Sequence, residues 1–236
     1  MFTRRTFFRS AAIATAALAT HSAQADEQAC AVFTPDRQKS VTPEQALKFL
    51  KDGNARFLAG TTINCDLRAQ VKATSGQQSP FAAILGCIDG RVPPELVFDQ
   101  RIGDVFAARI AGNFVNDDIV GSLEFATKIA GAKAIVVLGH TECGAIKGAI
   151  DKVELGLLTK MLANIEPAVA SVTGFEGERT AKNKKFVQAV ADQNAILASK
   201  KLIERSSVLS ELVAQKQLVV VAAMRDIASG EVRFLT

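Results

Sequence analysis

Neither tryptophan nor tyrosine occurs in the chain, and histidine occurs only twice in 236 residues. Without those rings there is little to stack against bases or sugars, which weakens any reading built on such recognition. No apolar run is long enough to span a bilayer. Acidic residues are missing from positions 1–25, so the formal net charge of +4 is partly a property of that segment. Setting aside Arg4, Arg5 and Arg9 leaves 25 basic against 24 acidic residues. A polyanion-binding face is therefore not indicated, and no nucleic-acid partner is expected. With 48% apolar and 22% charged residues the chain is neither disordered nor fibrous, and it has ample capacity for a buried core.

What is present begins with Thr3-Arg4-Arg5-Thr6-Phe7-Phe8-Arg9, an Ala-rich stretch from Ala11 to Ala19, and Ala23-Gln24-Ala25. That is a charged region, a short apolar region and a small-residue cleavage site. Paired arginines ahead of two phenylalanines resemble a twin-arginine export signal. The plainer alternative, a basic tail on an amphipathic helix, is opposed by the absence of a polar pattern through the stretch. The expectation is a removable leader over residues 1–25, an N-terminal extension over 26–41, a folded domain over 42–236, and a periplasmic location.

Within the domain, Thr42-Pro43-Glu44-Gln45 is a capping-box pattern with proline at the first helical position. It predicts a helix running to about Ala59 and stopped by Gly60. Apolar runs at Phe81–Leu85, Asp104–Ile110, Ala134–Leu138 and Leu218–Ala223 are short and continuous, as in strands buried on both faces. Helical patterns lie between them: Ile119 to Ala130, a stripe of Leu155, Leu158, Leu162, Ile165 and Val169, and about Ala181 to Arg205. Strands alternating with helices predict a single α/β domain with a mostly parallel sheet of about four strands flanked by helices. Glu231–Leu235 follows Gly230 closely enough to add an antiparallel edge strand. The cluster Lys182, Lys184 and Lys185 reads as a solvated helix face.

Once His21 is assigned to the leader, one histidine remains. Cys87 and His140 each follow a predicted strand, and Cys143 opens the next helix. Ligands gather at the carboxyl ends of parallel strands, and zinc takes thiolate and imidazole ligands, leaving one position open at catalytic sites. The competing reading makes the cysteines small apolar core residues. Asp89 and Arg91, in Cys87-Ile88-Asp89-Gly90-Arg91, put a carboxylate and a guanidinium beside the first candidate ligand. Asp89 either fills a fourth metal position in a closed state or turns to Arg91 and frees that position for water.

These motifs resemble the β-class carbonic anhydrases. The likeness runs from Leu47-Lys48 and Asp52-Gly53-Asn54-Ala55-Arg56-Phe57 to the C-terminus. It is strongest over Ala83–Glu95 and Val137–Gly144, with Gly112-Asn113 and Gly121–Ala126 between. The resemblance implies Cys87, His140 and Cys143 as zinc ligands, one zinc per chain, and Asp89–Arg91 as a catalytic pair orienting zinc-bound hydroxide toward carbon dioxide to form bicarbonate. It implies Gln78 as a side-chain amide on the substrate oxygen. It further suggests Phe106 and Phe125 as lining of an apolar pocket, though plain core packing explains both phenylalanines equally well. A homodimer or homotetramer built on N-terminal helices is also implied.

Three departures stand out. Gly90 replaces the usual serine, adding backbone freedom. Phe125 stands where many members have tyrosine. Some members bind a second bicarbonate with Trp, Arg and Tyr, and without Trp or Tyr this chain is expected to lack that site in that form. Two other readings stay open: hydrolysis of a carbon dioxide-like molecule such as carbonyl sulfide or carbon disulfide, since a fold does not fix a substrate, and a non-catalytic zinc-binding homologue. Cys30 and Cys65 remain over, either as a disulfide or as two independent thiols.

Overall fold

The structure, a computed structural model, describes residues 30–63 and 65–235. The leader expected over 1–25 lies outside the described residues. In chain order the elements are α1 (Pro35–Ser40), α2 (Pro43–Ala59), α3 (Leu67–Thr74), β1 (Ala82–Gly86), α4 (Pro94–Val97), β2 (Val105–Arg109) and α5 (Asp117–Glu124). A π-helical turn (Phe125–Ile129) extends α5, followed by β3 (Ala134–His140), α6 (Gly144–Ile150), α7 (Gly156–Leu162) and α8 (Glu166–Ser171). The chain ends with α9 (Lys184–Arg205), α10 (Ser207–Ala214), β4 (Val219–Arg225) and β5 (Val232–Leu235).

Helix α2 has the predicted ends. The Thr42 hydroxyl accepts from the Gln45 N–H at 3.2 Å, and the Gln45 side chain accepts from the Thr42 N–H at 2.9 Å. Gly60 closes the helix at φ 67°, a left-handed conformation that glycine adopts without a Cβ penalty.

The sheet order is β2-β1-β3-β4-β5, with β5 antiparallel to β4 and every other pairing parallel. All residues of β1 and β3 are buried, which is why both read as continuous apolar runs. One face carries Ala83, Leu85, Ile135 and Val137 against Leu123, Ala195, Leu202 and Leu209. The other carries Ala82, Ile84, Val136 and Leu138 against Phe33, Leu50, Val97 and Phe98. A third cluster, with Ile146, Ile165, Phe186 and Val190, surrounds Cys87 and Cys143.

The stripe from Leu155 to Val169 is not one helix. It divides into α7 and α8, because Pro167 has no N–H to donate back along a continuous helix and its ring crowds the preceding turn. Leu155 is 68% exposed, outside the packed stripe, while Leu162 and Ile165 are buried. The lysines 182, 184 and 185 are exposed, as a solvated face requires.

Of the two readings open for the remaining cysteines, the structure has the bridge: Cys30 and Cys65 form a disulfide across 35 residues of sequence, with Cα atoms 5.5 Å apart. It ties the segment ahead of α1 to the loop after α2. Phe33, a few residues on, packs with Phe49 and Phe81 at ring-centroid distances of 5.8 and 4.8 Å.

Candidate metal centre

Three chain segments converge at the carboxyl end of the sheet. Cys87 follows the last residue of β1, His140 is the last residue of β3, and Cys143 occupies the N-cap position of α6. Their candidate ligand atoms all lie within 4.8 Å of one another, and all three residues are buried. Parallel neighbours in register make this convergence: Gly86 pairs with Leu138, so both strands deliver their next residues to one end.

His140 Nδ1–H donates to the Thr141 carbonyl oxygen at 2.9 Å. Since a carbonyl only accepts, Nδ1 carries the proton and Nε2 keeps its lone pair. That Nε2 is buried and has no hydrogen-bond partner among the described residues. An imidazole oriented by a backbone carbonyl and left with a bare buried nitrogen is how a metal-binding histidine is held. The loop after it is fixed as well. Thr141 N–H donates to the Arg225 carbonyl, the Thr141 hydroxyl accepts from Ile227 N–H, and Glu142 turns the chain at φ 59°.

Cys87 Sγ accepts the Gly112 N–H at 3.3 Å, and the carbonyl of that same glycine accepts Asn194 Nδ2 at 2.8 Å. Asn194 comes from α9 and is buried. The two thiols titrate as a pair. A hydrogen bond from Cys143 lowers the Cys87 pKa, opposed by burial and helped by the Gly112 N–H. The same bond, together with burial, pushes the Cys143 thiol up. The donor set of two sulfurs and one imidazole nitrogen suits zinc, which would take the place of the thiol proton.

Asp89 faces this cluster. Arg91 grips its carboxylate with Nε on Oδ1 at 2.9 Å and Nη2 on Oδ2 at 2.6 Å, and the Arg91 backbone N–H adds a third bond at 2.9 Å. Foremost through that side-chain bond, the Asp89 carboxyl is held well below the usual carboxylate range. Asp89 Oδ2 lies 4.0 Å from His140 Nε2. Of the two arrangements open to Asp89, this is the one in which Arg91 holds the carboxylate.

The other expected site residues are placed differently. Gln78 is exposed and precedes β1, whereas Cys87 follows it, so roughly 15 Å of strand separates them within one chain. Phe106 and Phe125 meet edge to face at 6.2 Å. Together with Ile119 and Leu123 they line a groove beside β2, and the three candidate ligands are not part of that lining. Core packing accounts for Phe106, which packs against the buried cluster of its face, but not for Phe125, which is 55% exposed. Two residues missed from sequence also hold the centre. They are Asn194, through Gly112, and Arg109, which donates to the carbonyls of Cys87 and Asp89.

Comparison with known proteins agrees with this architecture. A family model described as carbonic anhydrase matches residues 82–232. Carbonic anhydrase 2 of Mycobacterium tuberculosis is 33% identical over 197 residues, 81% of this chain and 92% of that protein. A carbonic anhydrase of Mycolicibacterium smegmatis is 39% identical over 133 residues, 54% of this chain and 65% of that protein. Among solved structures, the β-carbonic anhydrase CafA of Aspergillus fumigatus superposes with a TM-score of 0.64 at 26% identity, covering 81% of this chain and 89% of that one. With the matched segment holding all three candidate ligands and the Asp89–Arg91 pair, the chain belongs to the carbonic anhydrase family, in its β class.

Proposed function

We propose that the chain catalyses the zinc-dependent, reversible hydration of carbon dioxide to bicarbonate and a proton. The observation that carries this reading is the bare, buried Nε2 of His140 beside two thiol sulfurs, with an aspartate that Arg91 already holds 4.0 Å away. Cys87, His140 and Cys143 would hold the zinc. When bound, it supplies Lewis acidity and brings the ionisation of water toward neutral pH.

The remaining chemistry belongs to the chain. Asp89, ionised and fixed by Arg91, accepts a hydrogen bond from the attacking water and so orients its lone pair toward carbon dioxide. Held well below the usual carboxylate range, it does not take the proton itself. Arg91 binds both oxygens of that carboxylate, so Asp89 would not itself serve as a metal ligand. Gly112 N–H and the Thr141 carbonyl fix Cys87 and His140, so the donors are in place before substrate arrives.

Gln78 enters this scheme from a second copy of the chain, being too far from the cluster in its own. A homodimer or homotetramer follows. In support, β2 is an edge strand of the sheet, Phe125 beside it is 55% exposed, and Ile129, one turn on, is 73% exposed. The twin-arginine motif supports export to the periplasm, and the Cys30–Cys65 bridge suits an oxidising compartment.

The test is metal analysis joined to stopped-flow carbon dioxide hydration on purified protein. About one zinc per chain with rapid hydration is the expected result. Full zinc without hydration at any pH would overturn the reaction and direct attention to carbonyl sulfide or carbon disulfide. Absence of zinc after expression in zinc-supplemented medium would overturn the ligand assignment.

A further inference from the structure

The loop between β1 and α4 closes its own turn over Asp89–Val92, but the residue just before that turn is open to solvent. Ile88 is 62% exposed, and Gly90 has no atom within 4 Å of the position a Cβ would occupy. Yet this loop must fix two things relative to each other, the sulfur of Cys87 and the carboxylate of Asp89. The structure shows what does so. Arg109, the last residue of β2, lies beside Gly86 in the β1–β2 register. Its side chain crosses to the loop, Nε donating to the Cys87 carbonyl at 2.8 Å and Nη2 to the Asp89 carbonyl at 2.6 Å. No carboxylate pairs with this guanidinium among the described residues.

We propose that Arg109 is a positioning residue of the metal centre: by bridging the carbonyls of Cys87 and Asp89 it sets the separation between the ligand sulfur and the carboxylate. The proposal rests on the zinc reading given above. Three features of the geometry support it. The two carbonyls flank Ile88, so bridging them fixes the peptide span that carries both functional side chains. The Val92 N–H also donates to the Asp89 carbonyl, at 3.1 Å, so that oxygen is anchored from two directions. Finally, Nε and Nη2 form one rigid planar edge, and no lysine ammonium can reproduce two parallel donors at that spacing. Arg91 uses its corresponding edge on the Asp89 carboxylate, so Asp89 is held at its backbone by one guanidinium and at its side chain by another. A loop with glycine at position 90 thereby keeps a defined shape through a contact from the neighbouring strand.

The experiment compares the full zinc-loaded protein with Arg109→Lys and Arg109→Ala, and repeats the set with cobalt in place of zinc. Thermal unfolding is recorded to establish that each variant is folded. The readouts are the cobalt visible and thiolate charge-transfer absorption, the rate of zinc release to a chelator, and kcat against KM for carbon dioxide hydration. Both variants are expected to bind one metal, with an altered cobalt spectrum and zinc release faster by about tenfold or more, the usual effect of removing a hydrogen-bond partner behind a ligand. kcat falls by a similar factor while KM changes little, and added guanidinium ion restores part of the kcat of Arg109→Ala. Should the alanine variant fail to fold, the lysine variant carries the same test. Folded variants with the parent cobalt spectrum and parent zinc release rate would overturn the proposal, as would a lowered Tm with those two readouts unmoved. If the parent itself does not hydrate carbon dioxide, the reaction assignment fails, while the spectrum and release rate still decide the role of Arg109.

Discussion

Asp89 and Arg91, two residues apart, meet along a single guanidinium edge, and the Arg91 backbone N–H closes a further bond onto the same carboxylate. The pair is local, built by a tight turn whose Val92 N–H returns to the Asp89 carbonyl. A carboxylate held this way resists protonation, so at moderately low pH Asp89 stays with Arg91.

The sign of the resulting pH effect is fixed. Because the folded-state pKa of Asp89 is depressed, its contribution to stability is complete above the ordinary aspartate value of about 3.9 and is lost as pH falls through the folded value. Arg91 is more than half exposed, so the effect is small. Thermal unfolding of the parent and of Asp89→Asn should differ by a constant, modest amount from pH 5 to pH 8, and the gap should close at lower pH. A gap that widens on acidification would contradict the assignment.

Gly112 is the second checkpoint. It stands at φ 80°, and a Cβ there would lie 2.5 Å from Ile165 Cδ1. Gly112→Ala is expected to cost about 1–3 kcal/mol in chemical denaturation, from crowding and the left-handed backbone together. Its N–H is also what Cys87 Sγ accepts, so the same variant should release zinc faster than the parent. An unchanged midpoint and release rate would show that the glycine is free to move.

The Cys30–Cys65 bridge closes a loop of 35 residues' separation. Restricting the unfolded chain by that much is worth about 3–4 kcal/mol. Cys30→Ser should therefore lower Tm by roughly 10 °C in a domain of this size. Hydration by the folded variant should be unaffected, since neither cysteine of the bridge belongs to the candidate ligand cluster. Loss of activity in step with loss of the bridge would contradict that separation.

Proton release sets the fourth expectation. His140 is the one histidine among the described residues, and its nitrogens are committed to Thr141 and to the ligand cluster. No free imidazole is then available among the described residues to carry the proton outward. Turnover should rise from dilute to concentrated imidazole buffer at constant pH and ionic strength, whereas a flat response would reveal an internal carrier.

Much of this was legible because it is local or periodic. The capping box of Thr42 and Gln45, the apolar runs of β1 and β3, and the placement of Cys87 and His140 at strand ends all follow from neighbouring residues and strand geometry. The antiparallel β5 followed from the Gly230 turn. Helix α10 was missed although Ser206 caps it and Leu209 and Leu212 carry its buried face. That signal was present but short.

Other features have no local signal. Arg109 reaches Asp89 across 20 residues, and Asn194 reaches Gly112 across 82. Neither lies in a pattern, because each contact is created by strands and helices that become neighbours only on folding. The same holds for the choice between bridge and free thiols at Cys30 and Cys65, which depends on where the N-terminal segment docks. Gln78 shows the converse, a candidate named from a local motif that its own chain places at the opposite end of β1 from Cys87.

The most direct measurement is carbon dioxide hydration by Asp89→Ala at confirmed zinc occupancy, beside the parent protein. Full zinc in both, with the rate constant of the variant lower by about a hundredfold or more, is the expected result for loss of an oriented hydrogen-bond acceptor. A fully metallated Asp89→Ala that hydrates carbon dioxide at the parent rate would contradict the account.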